Sequence, residues 1–179
     1  MSDRLTPAQR HYNMSRIRSA NTRPELKLRH ALWVMGFRYK INDKNLPGKP
    51  DIVLPKYKTV IFVHGCFWHG HSGCKRFVVP QTNTDFWTSK INRNKERDQE
   101  VWRKLESIGW NVIIVWECQL TKESFDDSVS RITDELNSNL STLLQHHVER
   151  KEIRTASLEE RKRRQFIAEI VQAELNKMG

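Results

Sequence analysis

The sequence predicts an α/β domain in which a mixed β-sheet is flanked by helices. Short apolar runs at 51–54, 59–63 and 110–116 are typical of buried strands. Helix-capping patterns and apolar residues at helical spacing lie between and around them. The 179 residues, 37% of them hydrophobic, fit one domain with a core of its own. The predicted order is α-α-β-β-β-α-β-α-α, and helices on both faces of the sheet are the simplest cover for such strands.

Two helices are predicted at the N-terminal end. Thr6-Pro7-Ala8-Gln9 reads as a capping box with proline at the first helical position. Only a short helix can follow, because 15–21 is basic and polar, and we assign residues 1–20 to a basic N-terminal arm. A second capping box, Thr22-Arg23-Pro24-Glu25, predicts a helix that Gly36 ends.

Four strands are expected in the sheet. The alternation at 37–41 predicts the first, and 42–50 reads as a loop. The runs 51–54 and 59–63 predict a hairpin around Pro55-Lys56-Tyr57-Lys58, and 110–116 is the most strand-like run of the chain.

The segment 64–90 lacks periodicity and is too long for a simple connection, which is typical of a functional loop. We expect a helix from Phe86 or Lys90 to Ile108, capped by Gly109. The main domain is predicted over 21–148.

The C-terminal part is predicted to be helical. Val129, Ile132, Leu136, Leu140 and Leu143 follow one another at helical spacing. A third capping box at 157–160 predicts a new helix within a basic, amphipathic extension, 149–179. Its apolar stripe must pack on the domain or on a partner, and consists of Phe166, Ile167, Ile170, Val171 and Leu175.

Charge narrows the class of partner. Lys and Arg number 31 against 21 Asp and Glu, a net charge of +10, which points to a polyanion such as nucleic acid. Ordinary solubility charge is the alternative. We expect neither a membrane span nor a secretory signal, since no apolar run approaches about 18 residues and 1–7 has no apolar core.

Three cysteines suggest a metal site rather than disulfides, because their number is odd. Cys66-x4-His71-x2-Cys74, with Cys118 after the last strand, supplies the ligands of a tetrahedral Cys3His zinc site. His64 or His69 could replace His71 as the nitrogen ligand. The alternative is three buried thiols beside a histidine-rich loop.

Asp51 is a candidate ligand for Mg²⁺. It follows Pro50 at the mouth of a strand, and carboxylate oxygen suits a hard cation that also binds phosphate. The alternative is a turn-capping aspartate. Glu25 has a role in its capping box, and a second role on the metal or its waters requires the helix start to face the site.

His64 and His69 are candidate acid/base groups, because neutral imidazole can take or give a proton near pH 7. Asp98, on the following helix, could orient one of them. Its alternative is a surface charge.

Together these residues resemble the very short patch repair (Vsr) DNA mismatch endonucleases. The likeness covers roughly 10–145. It is carried by Met14-Ser15-Arg16-Ile17-Arg18 through Pro24-Glu25-Leu26, by Leu46-Pro47-Gly48-Lys49-Pro50-Asp51, by Phe62-Val63-His64-Gly65-Cys66-Phe67-Trp68-His69 and by Val115-Trp116-Glu117-Cys118.

The resemblance implies a restriction-endonuclease-like catalytic domain with a structural zinc site and an extra C-terminal helix. The implied enzyme uses Mg²⁺ to nick one strand 5′ to the T of a T:G mismatch, the product of 5-methylcytosine deamination, and so starts very short patch repair. Two alternatives remain at this stage: a restriction-type endonuclease that cuts matched DNA, and a zinc module that binds nucleic acid without cutting it.

The resemblance also implies residue roles. Asp51 and the main-chain carbonyl of Val63 bind Mg²⁺, and His69 is the general acid/base. His64 assists with Asp98 behind it, and Glu25 sits near the metal waters. The implied zinc ligands are Cys66, His71, Cys74 and Cys118.

An aromatic wedge is implied beside the mismatch, formed by Phe67, Trp68 and Trp87. A mismatched pair is cheaper to unstack than a matched one, so intercalation gives selectivity. A local aromatic core on the zinc site is the alternative, and Trp87 could equally be core. The candidate phosphate-binding residues are Arg16, Arg18, Lys75, Arg76, Lys90, Arg93 and Lys95.

The sequence departs from two patterns. The acidic-x-Lys of the broader fold family is replaced by Val63-His64-Gly65, as expected for Vsr proteins, and His71 to Cys74 is one residue longer than expected. We expect a monomer acting on mismatched duplex DNA in the bacterial cytoplasm, associated with the nucleoid. The C-terminal helix is expected to contact DNA or a repair protein.

Overall fold

The computed structural model describes residues 20–178 and, before them, residues 6, 8, 9, 12, 15 and 16; side chains at 167, 168 and 170–178 are outside the description. The chain forms two compact units, Met1–Asn139 and Leu140–Gly179. Within the described residues, no helix combines the length and apolar character that a membrane crossing needs.

A three-stranded mixed sheet forms the centre of the first unit, which confirms the predicted α/β class. The strands, in sheet order, are β1 (Ile52–Leu54), β2 (Thr59–His64) and β3 (Asn111–Trp116). β1 is antiparallel to β2, with Ile52 opposite Ile61. β2 is parallel to β3, with His64 opposite Trp116. The carboxyl ends of β2 and β3 therefore lie at the same edge of the sheet.

Among residues 20–178, the α-helices are α1 (Arg23–Val34), α2 (Thr84–Ser107) and α3 (Phe125–Met178). One face of the sheet packs against α1 and the start of α3 through a buried cluster that includes Leu28, Leu32, Ile61, Ile132 and Leu136. The other face packs against α2 through Val60, Phe62 and Leu105. Helices cover both faces, as the apolar strands predict.

The hairpin is confirmed, but the strand expected at 37–41 is wrong. A 3-10 turn, Pro55–Tyr57, joins β1 to β2. Segment 37–41 makes only an isolated bridge, Lys40 to Val53. The alternation of apolar and polar residues in this segment has another origin. Phe37 is 7% exposed and packs on Tyr57, with ring centroids 5.3 Å apart.

The first two predicted capping boxes have different outcomes in the structure. The first capping box forms: the Thr6 N–H donates to Gln9 Oε1, and the Gln9 N–H donates to Thr6 Oγ1. The second does not. The Thr22 side chain caps no backbone group and instead donates to Glu25 Oε1 at 2.7 Å. Gly36 follows α1 with φ of +90°, as its role as helix terminator requires.

α2 begins earlier than expected, at Thr84 rather than at Phe86 or Lys90. The Thr84 hydroxyl donates to the Pro80 carbonyl at 3.0 Å and ties the first turn to the preceding loop. The helix ends at Ser107, and Gly109 follows with φ of +77°.

The predicted break before the third capping box is wrong, because α3 is one continuous helix through Ser157. A Ser-x-x-Glu pattern does not interrupt a helix when the residues before it are also helix formers. The second unit consists of α3 from Leu140 onward. Its exposed apolar side chains include Leu144, Val148, Ile153, Leu158 and Phe166. The other residues of the predicted stripe have side chains outside the description.

Candidate active site

The candidate site lies where three strand ends meet. Asp51 immediately precedes β1, while His64 and Trp116 are the last residues of β2 and β3. Because β1 is antiparallel to β2, its beginning lies beside the end of β2. The sheet therefore brings the candidate metal ligand and one candidate catalytic histidine to one edge.

Asp51 is tied to the backbone of Val63. Its Oδ2 accepts the Val63 N–H at 2.7 Å, so the carboxylate lies beside the residue whose carbonyl is the second expected ligand. Burial raises the pKa of Asp51 to about 6, partly offset by the Val63 hydrogen bond. The charge of Glu25 raises the same pKa further, and those of Arg29 and His69 lower it.

Glu25 lies in this site with a cation that the sequence interpretation missed. The Glu25 side chain is 3% exposed, so the start of α1 does face inward. Its Oε2 accepts hydrogen bonds from the Asn21 N–H at 2.9 Å and from Arg29 Nη2 at 3.1 Å. Arg29 Nη2 also donates to the Asp51 carbonyl at 2.9 Å. The i, i+4 spacing of Glu25 and Arg29 on one helix could have indicated this pair.

His64, His69 and Asp98 form one group, with their ligand atoms within 4.8 Å of one another. His69 Nδ1 is hydrogen-bonded to Asp98 Oδ2 at 2.5 Å, and Arg97 Nη2 donates to Asp98 Oδ1 at 3.2 Å. Burial raises the pKa of Asp98, but the hydrogen bond and charge of His69 outweigh it, so the net shift is downward. Asp98 is thus a buried carboxylate directed at His69 rather than a surface charge.

His64 stacks on His69, with ring centroids 3.7 Å apart and ring planes 14° apart. It is 4% exposed, and its Nδ1 is buried without a hydrogen-bond partner among the described residues. Burial, together with the neighbouring His69, lowers the pKa of His64 to about 3. His64 is therefore neutral near pH 7.

The second cluster contains Cys66, His71, Cys74 and Cys118, whose ligand atoms also lie within 4.8 Å of one another. His71 Nδ1 is 3.5 Å from Cys66 Sγ and 3.4 Å from Cys118 Sγ. A tetrahedral zinc ion, with Zn–S of about 2.3 Å and Zn–N of about 2.0 Å, separates these atoms by about 3.5 Å. The donor set and spacing therefore fit zinc, and His71 rather than His64 or His69 lies with the thiols.

The loop between the clusters is held against α2 at Gly70. A Cβ on Gly70, whose φ is +61°, would lie 2.8 Å from a side-chain carbon of Ile91. Asn94 Nδ2 donates to the Trp68 carbonyl at 2.9 Å, and Glu117 Oε1 accepts the Cys66 N–H at 3.1 Å. The loop that carries His69, His71 and Cys66 is thereby fixed by α2 and by the residue before Cys118.

Trp116 lies between the two clusters. Its indole stacks on His71, with 4.1 Å between centroids and 1° between planes. The same ring meets His64 edge-on at 5.5 Å. One aromatic side chain therefore contacts both the Cys/His cluster and the histidine pair, a role absent from the sequence interpretation.

The three residues expected to form the wedge pack against one another. Phe67 lies 5.1 Å from Trp68 and 5.3 Å from Trp87, measured between ring centroids. All three are partly buried. Phe86, 57% exposed, packs on Trp87 at 5.2 Å. Lys90 Nζ lies 5.4 to 5.7 Å from three of these rings. We refer to Phe67, Trp68, Phe86 and Trp87 as the aromatic surface.

The candidate phosphate-binding residues are not all in one place. Lys90 adjoins the aromatic surface, and Lys95 Nζ lies 5.7 Å from the Phe77 ring. Arg93 lines a shallow cavity of about 540 Å³ along α2, whereas Arg76 lines another of about 630 Å³ with Arg23, Lys27 and Lys122. Lys75 is exposed. Arg16 stacks on Tyr12, and Arg18 lies outside the described residues.

Comparison with known proteins gives concordant results. The family model described as DNA mismatch endonuclease Vsr matches residues 2–76. A type II nicking enzyme of Neisseria meningitidis serogroup A is 52% identical over 124 residues, which are 69% of this chain and 88% of that protein. A type II nicking enzyme of Xanthomonas oryzae is 48% identical over 121 residues, 68% and 88% of the two chains. The DNA mismatch endonuclease Vsr of Escherichia coli K12 is 45% identical over 120 residues, 67% and 76%.

A buried carboxylate beside a histidine that is hydrogen-bonded to a second carboxylate can bind a divalent ion and transfer a proton, as phosphodiester hydrolysis requires. The relatives identify the chain as a DNA endonuclease. Its substrate is DNA. The chain belongs to the Vsr family of DNA mismatch endonucleases. Divalent-metal use is typical of such enzymes.

Proposed function

We propose that this endonuclease nicks one strand of duplex DNA 5′ to the T of a T:G mismatch, in a Mg²⁺-dependent reaction that initiates very short patch repair. The observation that carries the proposal is the His69–Asp98 pair, 2.5 Å apart, at the sheet edge that also holds Asp51. A restriction-endonuclease-like fold, with the sheet edge as the catalytic centre, is part of the proposal.

The oxygen donors at this edge fit Mg²⁺. The Asp51 carboxylate and the Val63 carbonyl are our proposed ligands, and the Val63 N–H already aligns Asp51 Oδ2. Carboxylate, carbonyl and water are the ligands that Mg²⁺ prefers. When bound, the ion supplies positive charge to the scissile phosphate and the leaving oxygen. Glu25, whose carboxylate accepts hydrogen bonds from Asn21, Thr22 and Arg29, suits an outer position beside the metal waters.

His69 is the proposed general acid/base. With the proton on Nδ1 held by Asp98, its Nε2 can accept a proton from the attacking water, and the imidazolium so formed is stabilised by the carboxylate. His64 stacks on His69, stays neutral and limits the movement of the reactive ring. These two roles explain why the fold buries one histidine and leaves the other 20% exposed at its side chain.

Zinc is proposed to have a structural role. Cys66, His71, Cys74 and Cys118 would supply all four ligands of a tetrahedral ion, which would leave no position for a reacting water. The loop 65–83 has no regular secondary structure and carries His69. A zinc ion in this cluster would therefore fix the catalytic loop.

The aromatic surface is proposed to enter the base stack beside the mismatch. Exposed and half-buried rings next to Lys90 present both a stacking platform and a cation. Unstacking costs less at a mismatch than at a matched pair, so insertion converts weak stacking into selectivity. The basic residues named above would bind backbone phosphates with an affinity that falls with salt.

The setting and partners are also proposals. The relatives are bacterial, so we infer action on DNA in the bacterial cytoplasm and nucleoid. One site at an asymmetric lesion suffices for one nick, which favours a monomer. We propose that the C-terminal extension, 149–179, contributes a DNA contact or binds a repair protein.

The test is nicking of two strand-labelled duplexes that differ only in T:G against C:G, with Mg²⁺ and with EDTA. The proposal requires one Mg²⁺-dependent nick, 5′ to T, in the mismatched duplex alone. Equal cutting of both duplexes would instead indicate a restriction-type enzyme. Salt-dependent binding without cutting, across a panel of flanking sequences, would indicate a non-catalytic DNA-binding protein.

A further inference from the structure

Arg29 is a buried cation in the centre of the candidate site. It is 5% exposed and lies two turns into α1 from its first residue. Its Nη1 donates to Asn21 Oδ1 at 2.6 Å. Its Nη2 donates both to Glu25 Oε2 at 3.1 Å and to the Asp51 carbonyl at 2.9 Å. One guanidinium therefore joins the loop before α1, a carboxylate on α1 and the residue before β1.

The cost of this arrangement argues against a purely structural role. Arg29 Nε is buried and has no hydrogen-bond partner among the described residues, and burying a guanidinium removes it from water. A buried ion pair can often be replaced by apolar side chains without loss of stability. The neighbouring core is apolar, with Leu28 and Leu32 fully buried on the same helix. Apolar side chains in place of both Glu25 and Arg29 would thus have served the fold.

The position of Arg29 indicates its role in the site. Glu25 and Asp51 are two carboxylates on different elements, and the charges of Glu25 and Arg29 both act on Asp51. Without a cation between the elements, their repulsion would push the start of β1 away from α1. The fork of a guanidinium can hold a carboxylate and a carbonyl together, which a single ammonium on a flexible stem does less well.

We propose that Arg29 is a positioning residue of the nicking reaction, holding the Asp51 backbone against α1 and Glu25 so that the divalent-ion site is formed before DNA binds. The inference rests on the proposed function of Asp51. It assigns Arg29 no contact with DNA, because its side chain is only 6% exposed.

The decisive variant is Arg29→Lys, which keeps the positive charge but loses the forked donors of the guanidinium. Titration calorimetry with Mn²⁺ on the DNA-free protein should show at least threefold weaker binding. The kcat for nicking should fall at least tenfold, while KM for DNA and the salt dependence of DNA binding stay within twofold. Arg38→Lys is the matched control, since Arg38 also donates to main-chain carbonyls but is exposed; it should leave all four quantities unchanged.

A second variant keeps the test decisive if Arg29→Lys fails to fold. Glu25→Gln/Arg29→Gln removes one charge of each sign, so no buried charge is left unpaired. Compared with Glu25→Gln alone, it should bind Mn²⁺ still more weakly, because Asp51 has lost its tie.

The proposal is overturned if the folded variants bind Mn²⁺ as their parents do and retain kcat within threefold, or if the loss appears in KM and the salt dependence. Failure of the wild-type protein to bind Mn²⁺ or to nick T:G duplexes would instead contradict the proposed function.

Discussion

The indole of Trp116 lies flat against the imidazole of His71, with 4.1 Å between centroids and 1° between planes. Because the same indole meets His64 edge-on, it connects the Cys/His cluster to the histidine pair. Trp116, the last residue of β3, therefore contacts both the proposed zinc cluster and the proposed catalytic histidine pair.

Replacing Trp116 should affect both clusters at once. We expect Trp116→Leu to lower kcat by about 2–10-fold, the range that loss of an aromatic pair of ~0.5–1.5 kcal/mol gives. Zinc release to a chromogenic chelator should accelerate in the same variant, and Trp116→Phe should recover part of both effects. Trp110→Leu, at the residue that precedes β3, is the control. Unchanged zinc release in Trp116→Leu would show that the stacking does not support the cluster.

Asp98→Asn should lower kcat by about 10²–10⁴-fold, the usual contribution of a positioned acid/base pair. The reason is that the amide can neither hold the Nδ1–H tautomer of His69 as strongly nor stabilise its cation. DNA affinity, measured by fluorescence anisotropy in EDTA, should not change. Glu96→Gln, an exposed neighbour on α2, is the control, and a comparable loss there would contradict the assigned role.

Asp51→Asn should abolish Mg²⁺-dependent nicking and yet stabilise the folded protein above about pH 6. Burial raises the pKa of Asp51 to about 6, so the folded state favours the protonated carboxyl. The stability it contributes is present below the ordinary carboxyl pKa and is lost as pH rises through about 6. Thermal unfolding should show a higher Tm for the variant at pH 8, by about 2–4 °C per kcal/mol. The gain should vanish at pH 4; a variant less stable than wild type at pH 8 contradicts this assignment.

Zinc removal should release the catalytic loop without unfolding the sheet. We expect His71→Asn to lose zinc, measured by elemental analysis, and to lower kcat at least tenfold. The far-ultraviolet circular dichroism should stay close to that of the wild type, because neither buried cluster that packs on the sheet contains any of the four ligands. His30→Asn, at an exposed histidine, is the control. Full zinc content in His71→Asn would reassign the nitrogen ligand.

Phe86→Ala should weaken binding to a T:G duplex by about tenfold, since stacking of a base on an aromatic ring contributes ~1–3 kcal/mol. Binding to the matched duplex should change less, because the rings reach the bases only where unstacking is cheap. The exposed Ile108 provides the control Ile108→Ala. Equal losses for both duplexes would indicate a general surface effect rather than insertion at the mismatch.

Local pattern was enough to predict much of this protein. Apolar runs predict β1, β2 and β3, because a strand buried on both faces needs continuous apolar residues. The four zinc-ligand candidates follow from ligand chemistry, and the motif at His64 to His69 indicates the family. At two places where local pattern misled, side-chain contacts were the cause. Phe37 is a core anchor rather than part of a strand. Thr22 bonds the Glu25 side chain, which also pairs with Arg29, rather than capping the helix.

Only the tertiary structure decided how the pieces combine. His71 rather than His64 or His69 joins the cysteines, since the chain turn at Gly70 places it beside Cys118, 47 residues away. Asp98 is a buried partner of His69. Its sequence alone also fits a surface charge, because the neighbouring residues are charged. The sequence interpretation gave no role to the Arg29 or Trp116 side chain, because their roles arise from contacts with Asp51 and His71 that are distant along the chain. Residue type and spacing thus determine which chemistry the chain can perform, whereas long-range packing decides which atoms perform it.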